Sequence, residues 1–197
     1  RWSLPQEAYW RADSGLPQPS RQTLLRWDKV QLFPDGRLLA VVMATNATPY
    51  GRGLVMMDRD SRPLWSYQGY AHHSFAVTPE GHIFTLGQRI VEQAPGEVPA
   101  RWTPYIGDQL IELDANGRLL REIDLVQAIV DSPLAGIAEL VREHRNGDLF
   151  HANDVEYIDA ALAEAHPYAR PGEVLVSFRE LNLLALVEPA TGTLDWA

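Results

Sequence analysis

The stretch Ser74–Leu86, SFAVTPEGHIFTL, shows the unit from which the chain is built. A short apolar run, Phe75–Val77, meets the turn Thr78-Pro79-Glu80-Gly81, and a second run, His82–Leu86, follows it. The glycine supplies the positive φ that a tight turn between antiparallel strands needs. The stretch therefore predicts a β-hairpin.

The same pattern recurs elsewhere along the chain. The other predicted hairpins are Val30–Ala44, Leu54–Tyr67, Gln109–Leu125 and Leu183–Trp196. The one over Leu54–Tyr67 turns at Asp58-Arg59-Asp60-Ser61, without a glycine. Two further predicted strands, Val155–Ile158 and Glu173–Phe178, precede the last hairpin.

These strands group into three units of four, at about 27–70, 71–125 and 150–197. The first two units start about 45 residues apart, which is the period of a β-propeller blade. Two insertions delay the third unit: Leu125–Glu143, which has helical spacing, and Asp159–Arg170, which is predicted to be partly helical. We therefore predict an all-β partial propeller over 23–197, after an extended lead-in over 1–22. A β-sandwich or an open meander of about twelve strands is the alternative.

Three blades are fewer than the roughly four to eight of known propellers. An open stack of sheets leaves faces and edges uncovered, which proteins avoid. We therefore expect the chain to be part of a longer polypeptide. Further propeller blades or an oligomer partner would complete the stack.

Composition excludes several classes of protein. The chain has 17 Lys and Arg against 26 Asp and Glu, a net charge of −9, which argues against a nucleic-acid partner. No apolar run reaches the roughly 18–20 residues that span a bilayer, and the stretch Arg1–Tyr9 lacks the apolar core of a signal peptide. The chain contains no cysteine, so disulfides, zinc-thiolate sites and cysteine nucleophiles are excluded.

Histidines mark the start of two predicted units. His72 and His73 lie at the entry to the first strand of the second unit, and the segment His151-Ala152-Asn153-Asp154 lies at the entry to the third. In a propeller, residues at this phase surround the central channel at one face, where ligands bind. A single histidine at such a place is more often a hydrogen-bonded packing residue, but two histidine segments at the same phase favour convergence equally, and we predict that the histidines converge.

Arg179 follows the apolar strand Val174–Phe178 and lies on the same side of it as Leu175 and Ser177. Its planar guanidinium suits a sulfate, phosphate or carboxylate. The competing interpretation is an ion pair with Glu180 or Glu156 at the rim.

Three other side chains are predicted to contact a substrate. Asn153 is a candidate amide donor to the same anion as Arg179. Trp102 and Tyr105, in and after the Pro- and Gly-containing stretch Arg89–Pro104, are candidate contacts for an aromatic group.

Taken in order, these motifs resemble the bacterial, PAPS-independent arylsulfotransferase family, whose fold is a six-bladed propeller. The segments that carry the resemblance are His72-His73 before Thr78–Ile83, His151-Ala152-Asn153-Asp154, Val174–Arg179 and Thr191–Trp196. The resemblance covers the chain from about Trp27 to its end. Asp154 stands where the family tends to have a small hydroxyl residue, and the two insertions are also departures.

The resemblance implies transfer of a sulfuryl group from an aryl sulfate to a phenol through a sulfated histidine, in a periplasmic or secreted bacterial enzyme. Matching motifs carry over His151, Arg179 and one of His72 and His73 as catalytic residues. The nucleophilic histidine of the family falls in a later blade, which we expect beyond Ala197. The expected partners are small molecules, an aryl sulfate and a phenol, with no cofactor and no bound metal.

Two alternatives stay open at this point. The first is a non-catalytic propeller that binds an anionic or aromatic ligand, or a protein partner, at the channel face. The second is a hydrolase whose metal ion is held by His72, His73 and His151, since imidazoles suit zinc or copper.

Overall fold

The computed structural model describes residues 2–3, 24–45, 47–93, 98, 102–138 and 147–197. Three four-stranded antiparallel sheets form the framework of this part of the chain. The predicted all-β class with four-stranded blades is confirmed. The predicted lead-in over 1–22 lies outside the described residues, except for Trp2 and Ser3.

Each sheet is built from four consecutive strands that pair in chain order. Sheet 1 contains β1 (Leu25–Leu32), β2 (Leu38–Ala44), β3 (Gly51–Met57) and β4 (Pro63–Tyr67). Sheet 2 contains β5 (His72–Val77), β6 (Ile83–Val91), β7 (Tyr105–Leu113) and β8 (Leu119–Asp124). Sheet 3 contains β9 (Ala152–Tyr157), β10 (Val174–Phe178), β11 (Leu183–Glu188) and β12 (Thr193–Trp196).

The turns within the sheets have the chemistry that the sequence predicts. Gly36, Gly81, Gly117 and Gly192 all have positive φ, between 73° and 90°. In the turn that lacks a glycine, Ser61 takes this conformation instead, with φ of 66°. These turns join neighbouring strands and therefore set the up-and-down order of each sheet.

Sheet 2 packs between the other two sheets. On one side, Leu39, Val41 and Met56 of sheet 1 share a buried cluster with Phe75 and Ile111 of sheet 2. On the other side, a second cluster joins sheet 2 to sheet 3; it includes Leu86, Leu110, Val155, Val176 and Val187. Because successive side chains along a strand point to opposite faces of the sheet, sheet 2 can pack against a neighbouring sheet on each of its two faces.

Strands β6 and β7 are longer than the hairpin pattern predicts. They pair without a break from Ile83 opposite Leu113 to Val91 opposite Tyr105. The apolar pattern predicts that residues 87–91 and 105–108 lie outside the strands, because polar residues interrupt the apolar runs there. Gln88 and Asp108 lie opposite each other in this extension, and both are buried.

The insertion after β8 contains two short helices, α1 (Leu125–Val130) and α2 (Ala135–Ala138). The carboxylate of Asp124 caps α1 by accepting from the backbone N–H groups of Val126 and Gln127. The rest of the predicted helical region, 139–143, lies outside the described residues. A third helix, α3 (Ala160–Ala165), lies in the other predicted insertion, with Asp159 as its N-cap. None of the helices within the described ranges is long and apolar enough to cross a membrane.

The first strands of the three sheets are joined by one polar link. The ammonium of Lys29 on β1 donates to the hydroxyl of Ser74 on β5 at 3.1 Å. That hydroxyl donates to the carboxylate of Asp154 on β9 at 2.5 Å. Asp154, a departure from the family pattern, thus accepts a hydrogen bond from the neighbouring sheet.

Candidate functional site

His73 and His151 occupy equivalent backbone positions at the start of β5 and β9. Both residues have left-handed backbone conformations, with φ of 53° and 54°. Pairing is irregular just after each of them, between His72 and Phe75 on β5 and opposite Ser177 and Phe178 on β9. Non-glycine residues in this conformation are uncommon and cluster at functional sites. The irregularities turn both imidazoles toward the same space between the sheets.

The two imidazoles face each other edge to edge. Nε2 of His73 lies 3.2 Å from Nε2 of His151, and the ring centroids are 5.3 Å apart. Nδ1 of His73 lies 2.9 Å from Oδ2 of Asp28 on β1. Nδ1 of His151 lies 2.6 Å from Oδ2 of Asp148. The predicted convergence of the histidines is thus observed for these two, with a carboxylate behind each ring.

Tyr50 completes one wall of the histidine pair. Its hydroxyl lies 3.3 Å from Nε2 of His73 and 3.5 Å from Oδ2 of Asp148. Burial, followed by the charge of Asp148, raises the pKa of the Tyr50 phenol. The side chain is therefore a neutral hydroxyl at the site over the physiological pH range.

His72 lies behind the pair rather than in the cleft. Its side chain is fully buried, and its ring packs edge-on against His73, with centroids 5.1 Å apart. Burial, and then the neighbouring charge of His73, holds the pKa of His72 well below its usual value. Of the two adjacent histidines, His73 is the one that faces the cleft.

A buried carboxyl, Asp108, lies close to the same cluster. Burial and the charge of Asp148 raise its pKa well above the usual value for aspartate. Burial therefore favours the neutral acid form of the Asp108 side chain.

Arg179 contributes to the same cleft as the histidine pair. Its backbone N–H donates to the carbonyl of His151 at 3.0 Å, so the two residues are held side by side. Its guanidinium donates to Oε1 of Glu180 through Nε at 2.8 Å and through Nη2 at 2.5 Å. Both of the features considered from the sequence are therefore present: Arg179 borders the cleft, and it pairs with Glu180 at the exposed rim.

The cleft itself has a volume of about 400 Å³. Arg26 of β1 and Arg179 contribute cationic side chains to its lining. Met43, Ala44 and Tyr50 give it an apolar and aromatic part, next to His73 and His151. The site can therefore receive an anionic group that is attached to an apolar ring.

The other predicted site residues do not line this cleft. Trp102 and Tyr105 are buried in the core between sheets 2 and 3, and the Trp102 ring packs edge-on against Phe150. Asn153 is exposed on β9, and its amide oxygen accepts from the hydroxyl of Ser177 at 2.6 Å.

Three residues of the site were not predicted from the sequence: Asp28, Tyr50 and Asp148. A signal existed for two of them. Asp148 precedes His151 by three residues, and Asp28-Lys29 occupies the phase on β1 that His73-Ser74 occupies on β5. Tyr50 carried no such signal, since it lies in the connection between β2 and β3.

The metal-site alternative finds no support in the geometry. Among the residues that the structure describes, no three His, Asp or Glu side chains are arranged to hold a metal ion. His72 is separated from the cleft by His73, and Nε2 of His73 faces Nε2 of His151 rather than a shared open position.

Comparison with known proteins supplies a family. The family model described as Arylsulfotransferase (ASST) matches residues 29–197. No curated protein matches the chain. One solved structure that matches is a protein of unknown function from Bacteroides caccae, at 12% identity and a TM-score of 0.33. The match covers 86% of this chain and 59% of the Bacteroides chain.

Proposed function

Because the chain belongs to the arylsulfotransferase family, we propose that the full-length protein transfers a sulfuryl group from an aryl sulfate to a phenol in the cleft of His73 and His151. The observation that carries the proposal is the opposition of two imidazole Nε2 atoms, 3.2 Å apart, in a cleft that Arg179 also lines. The family match supports the reaction class, and the cleft offers the groups that this class requires.

The charge of the cleft suits a sulfate monoester. Such an ester carries one negative charge, which spreads over the sulfuryl oxygens during transfer. Arg26 and Arg179 line the cleft, and cationic donors close to those oxygens stabilise the transition state. Met43 and Tyr50 provide apolar surface for the aromatic ring of the ester.

The histidine pair supplies the proton transfers of the reaction. In the first step a neutral histidine nitrogen attacks sulfur, the bond from sulfur to the aryl oxygen breaks, and the leaving oxygen takes a proton from an imidazolium. In the second step the acceptor phenol returns a proton to the imidazole, its oxygen attacks sulfur, and the N–S bond breaks. By the family resemblance we assign the nucleophile to a later blade of the full-length protein.

A second candidate is a non-catalytic propeller that binds an anionic or aromatic ligand in the same cleft. The observation that favours it is the ion pair of Arg179 with Glu180, which engages the guanidinium that sulfuryl transfer would need. Catalysis requires the guanidinium to exchange Glu180 for the sulfuryl oxygens.

The test is a transfer assay with the full-length protein, para-nitrophenyl sulfate as donor and phenol as acceptor. We expect phenyl sulfate to form, an acid-labile sulfated histidine to be detectable by mass spectrometry, and His151→Gln to abolish product formation. The matched control is His82→Gln, because His82 also pairs with a carboxylate, Glu112 at 2.9 Å, but does not line the cleft. Ligand binding without transfer would establish the second candidate instead.

We also propose that the protein is periplasmic or secreted, which rests on the family resemblance alone. Fractionation of the source cells, followed by immunodetection, tests this. Recovery of the protein only from the cytoplasmic fraction would contradict it.

A further inference from the structure

Asp28, His73, His151 and Asp148 form one continuous hydrogen-bonded row. The contacts along it are 2.9 Å from Asp28 to His73, 3.2 Å from His73 to His151, and 2.6 Å from His151 to Asp148. The side chains of both histidines are mostly buried, 21% and 10% exposed, so little water competes for these contacts.

The row fixes the number of protons on the two rings. An ionised carboxylate only accepts hydrogen bonds, so each Nδ1 must carry a proton that it donates to its aspartate. Two bare Nε2 lone pairs, or two Nε2–H groups, would repel each other at this distance. A hydrogen bond between the two Nε2 atoms requires one proton, which would give the pair of rings one positive charge.

We propose that Asp28 and Asp148 are positioning residues that hold His73 and His151 as a proton-sharing pair, with a single proton between the two Nε2 atoms. The shared proton is the one that passes to the leaving phenolate and returns from the acceptor phenol. This last assignment rests on the proposed function, whereas the sharing of the proton is a property of the resting protein.

The other ionisable groups around the pair leave this charge balance intact. Burial raises the pKa of the Tyr50 phenol and of the Asp108 carboxyl and lowers that of the His72 imidazole, so burial favours the neutral form of each group. Arg26 and Arg179 lie at the cleft and are permanently charged. The two carboxylates are therefore the groups that stabilise the positive charge of the pair.

The backbone holds the rings in position independently of the carboxylates. Both histidines have left-handed φ values, which other side chains adopt less readily than glycine does. The carbonyl of His151 is also bonded to the backbone of Arg179 at 3.0 Å. Replacing an aspartate should consequently change the protonation of the rings more than their location.

The test is a pH titration of the full-length protein with 15N-labelled histidine, followed by NMR without any substrate. Signals are assigned with His73→Gln and His151→Gln. We expect His73 and His151 to titrate together, and Asp28→Asn to lower the midpoint of both rings by about one pH unit or more. Asp148→Asn should have the same effect on both.

The matched control is Asp35→Asn, which removes one negative charge from the β1–β2 turn, where Asp35 pairs with Arg37 rather than with a histidine. It should leave both titrations in place. The proposal is overturned if Asp28→Asn moves only the signals of His73, or if His151→Gln leaves the titration of His73 unchanged.

A second readout separates this inference from the proposed function. In the transfer assay, both aspartate variants should shift the pH profile in the direction of the NMR midpoints. If His73 and His151 titrate together but the protein has no transfer activity, the proposed function is contradicted and the proton-sharing pair is supported. If the protein has transfer activity but His73 and His151 titrate independently, the proton-sharing pair is contradicted and the proposed function is supported.

Discussion

Nε2 of His73 lies 3.2 Å from Nε2 of His151, although the two residues are 78 positions apart in the chain. His73 is the second residue of β5 in sheet 2, and His151 immediately precedes β9 in sheet 3. The packing of these two sheets therefore creates the pair, and neither sheet holds it alone. A substitution that displaces one sheet relative to the other should therefore change the distance between the two rings, even if the substituted residue does not contact them.

Replacement of Arg179 by Lys keeps the charge but removes the planar fork. We expect kcat/KM for sulfuryl transfer to fall by at least tenfold, because a single ammonium cannot contact two sulfuryl oxygens as a guanidinium does. The free energy of unfolding should change by no more than about 1 kcal/mol, since Arg179 is exposed and its pair with Glu180 lies at the rim. Steady-state kinetics and urea unfolding measure the two effects.

Glu180→Gln is the companion variant to Arg179→Lys. It frees the guanidinium without removing it, so transfer activity should be kept or increased. Equal losses in both variants would show that the ion pair itself, rather than contact with the substrate, is what the site needs.

Asp108→Asn should stabilise the protein at neutral pH. Burial raises the folded-state pKa of Asp108 well above its usual value of 3.8, so above that pH the folded chain binds more protons than the unfolded chain. Stability therefore falls as pH rises from about 3.8, and an amide removes this loss. The variant should match the wild type near pH 4 and exceed it at pH 7 in thermal unfolding experiments.

Asp114→Asn is the control for Asp108→Asn, and its effect has the opposite sign. Backbone hydrogen bonds, first that from Arg118, lower the pKa of Asp114, whose carboxylate stabilises the β7–β8 turn. That contribution is fully present above the usual aspartate pKa of 3.8 and is lost as pH falls through the folded-state pKa. The variant should be less stable than the wild type at pH 7 but not in strong acid. The same sign for both variants would contradict the pKa assignments.

Gly117→Ala should destabilise the protein by more than 2 kcal/mol, roughly the cost of overpacking combined with a disfavoured backbone conformation. Gly117 has φ of 75°, and an added Cβ would lie 2.3 Å from a ring carbon of Trp65. Gly172→Ala separates the two causes, because φ there is 100° but nothing lies within 4 Å. Gly136→Ala has neither problem and, in helix α2, should be neutral or slightly stabilising.

Ser74→Ala tests the polar link between the three sheets. It removes the hydroxyl that accepts from Lys29 and donates to Asp154, which should cost about 1–2 kcal/mol in urea unfolding. Ser177→Ala, which loses an exposed hydrogen bond to Asn153, should cost less than about 0.5 kcal/mol. Equal effects would show that the link adds nothing to the packing of the sheets.

The sequence was informative where local chemistry decides the outcome. The turns at Gly36, Gly81 and Gly192 follow from their residues, and so do the strands on either side of them. The predicted ends of β6 and β7 were wrong, because both strands continue through 87–91 and 105–108. The buried polar side chains of Gln88 and Asp108 interrupt the apolar pattern there. Burial of polar groups depends on neighbouring sheets, which a local pattern does not contain.

The site was only partly predictable for the same reason. The repeat phase of His73 and His151 indicated that the two residues would come together, and both line the same cleft. The same argument could not choose between His72 and His73, since adjacent residues on a strand point to opposite faces and the irregularity in β5 alters that alternation. Trp102 and Tyr105 were predicted to contact an aromatic group of the substrate because they lie in and just after the stretch Arg89–Pro104, but packing between sheets 2 and 3 buries them.

The most direct test of the account is the rate of phenyl sulfate formation from para-nitrophenyl sulfate and phenol by the full-length wild-type protein, His151→Gln and His82→Gln. We expect transfer by the wild type and by His82→Gln, and a loss of at least about 100-fold in His151→Gln, as for removal of a general acid–base. Absence of transfer in the wild type, or equal rates in the wild type and His151→Gln, would contradict the assignment of this cleft as the site of sulfuryl transfer.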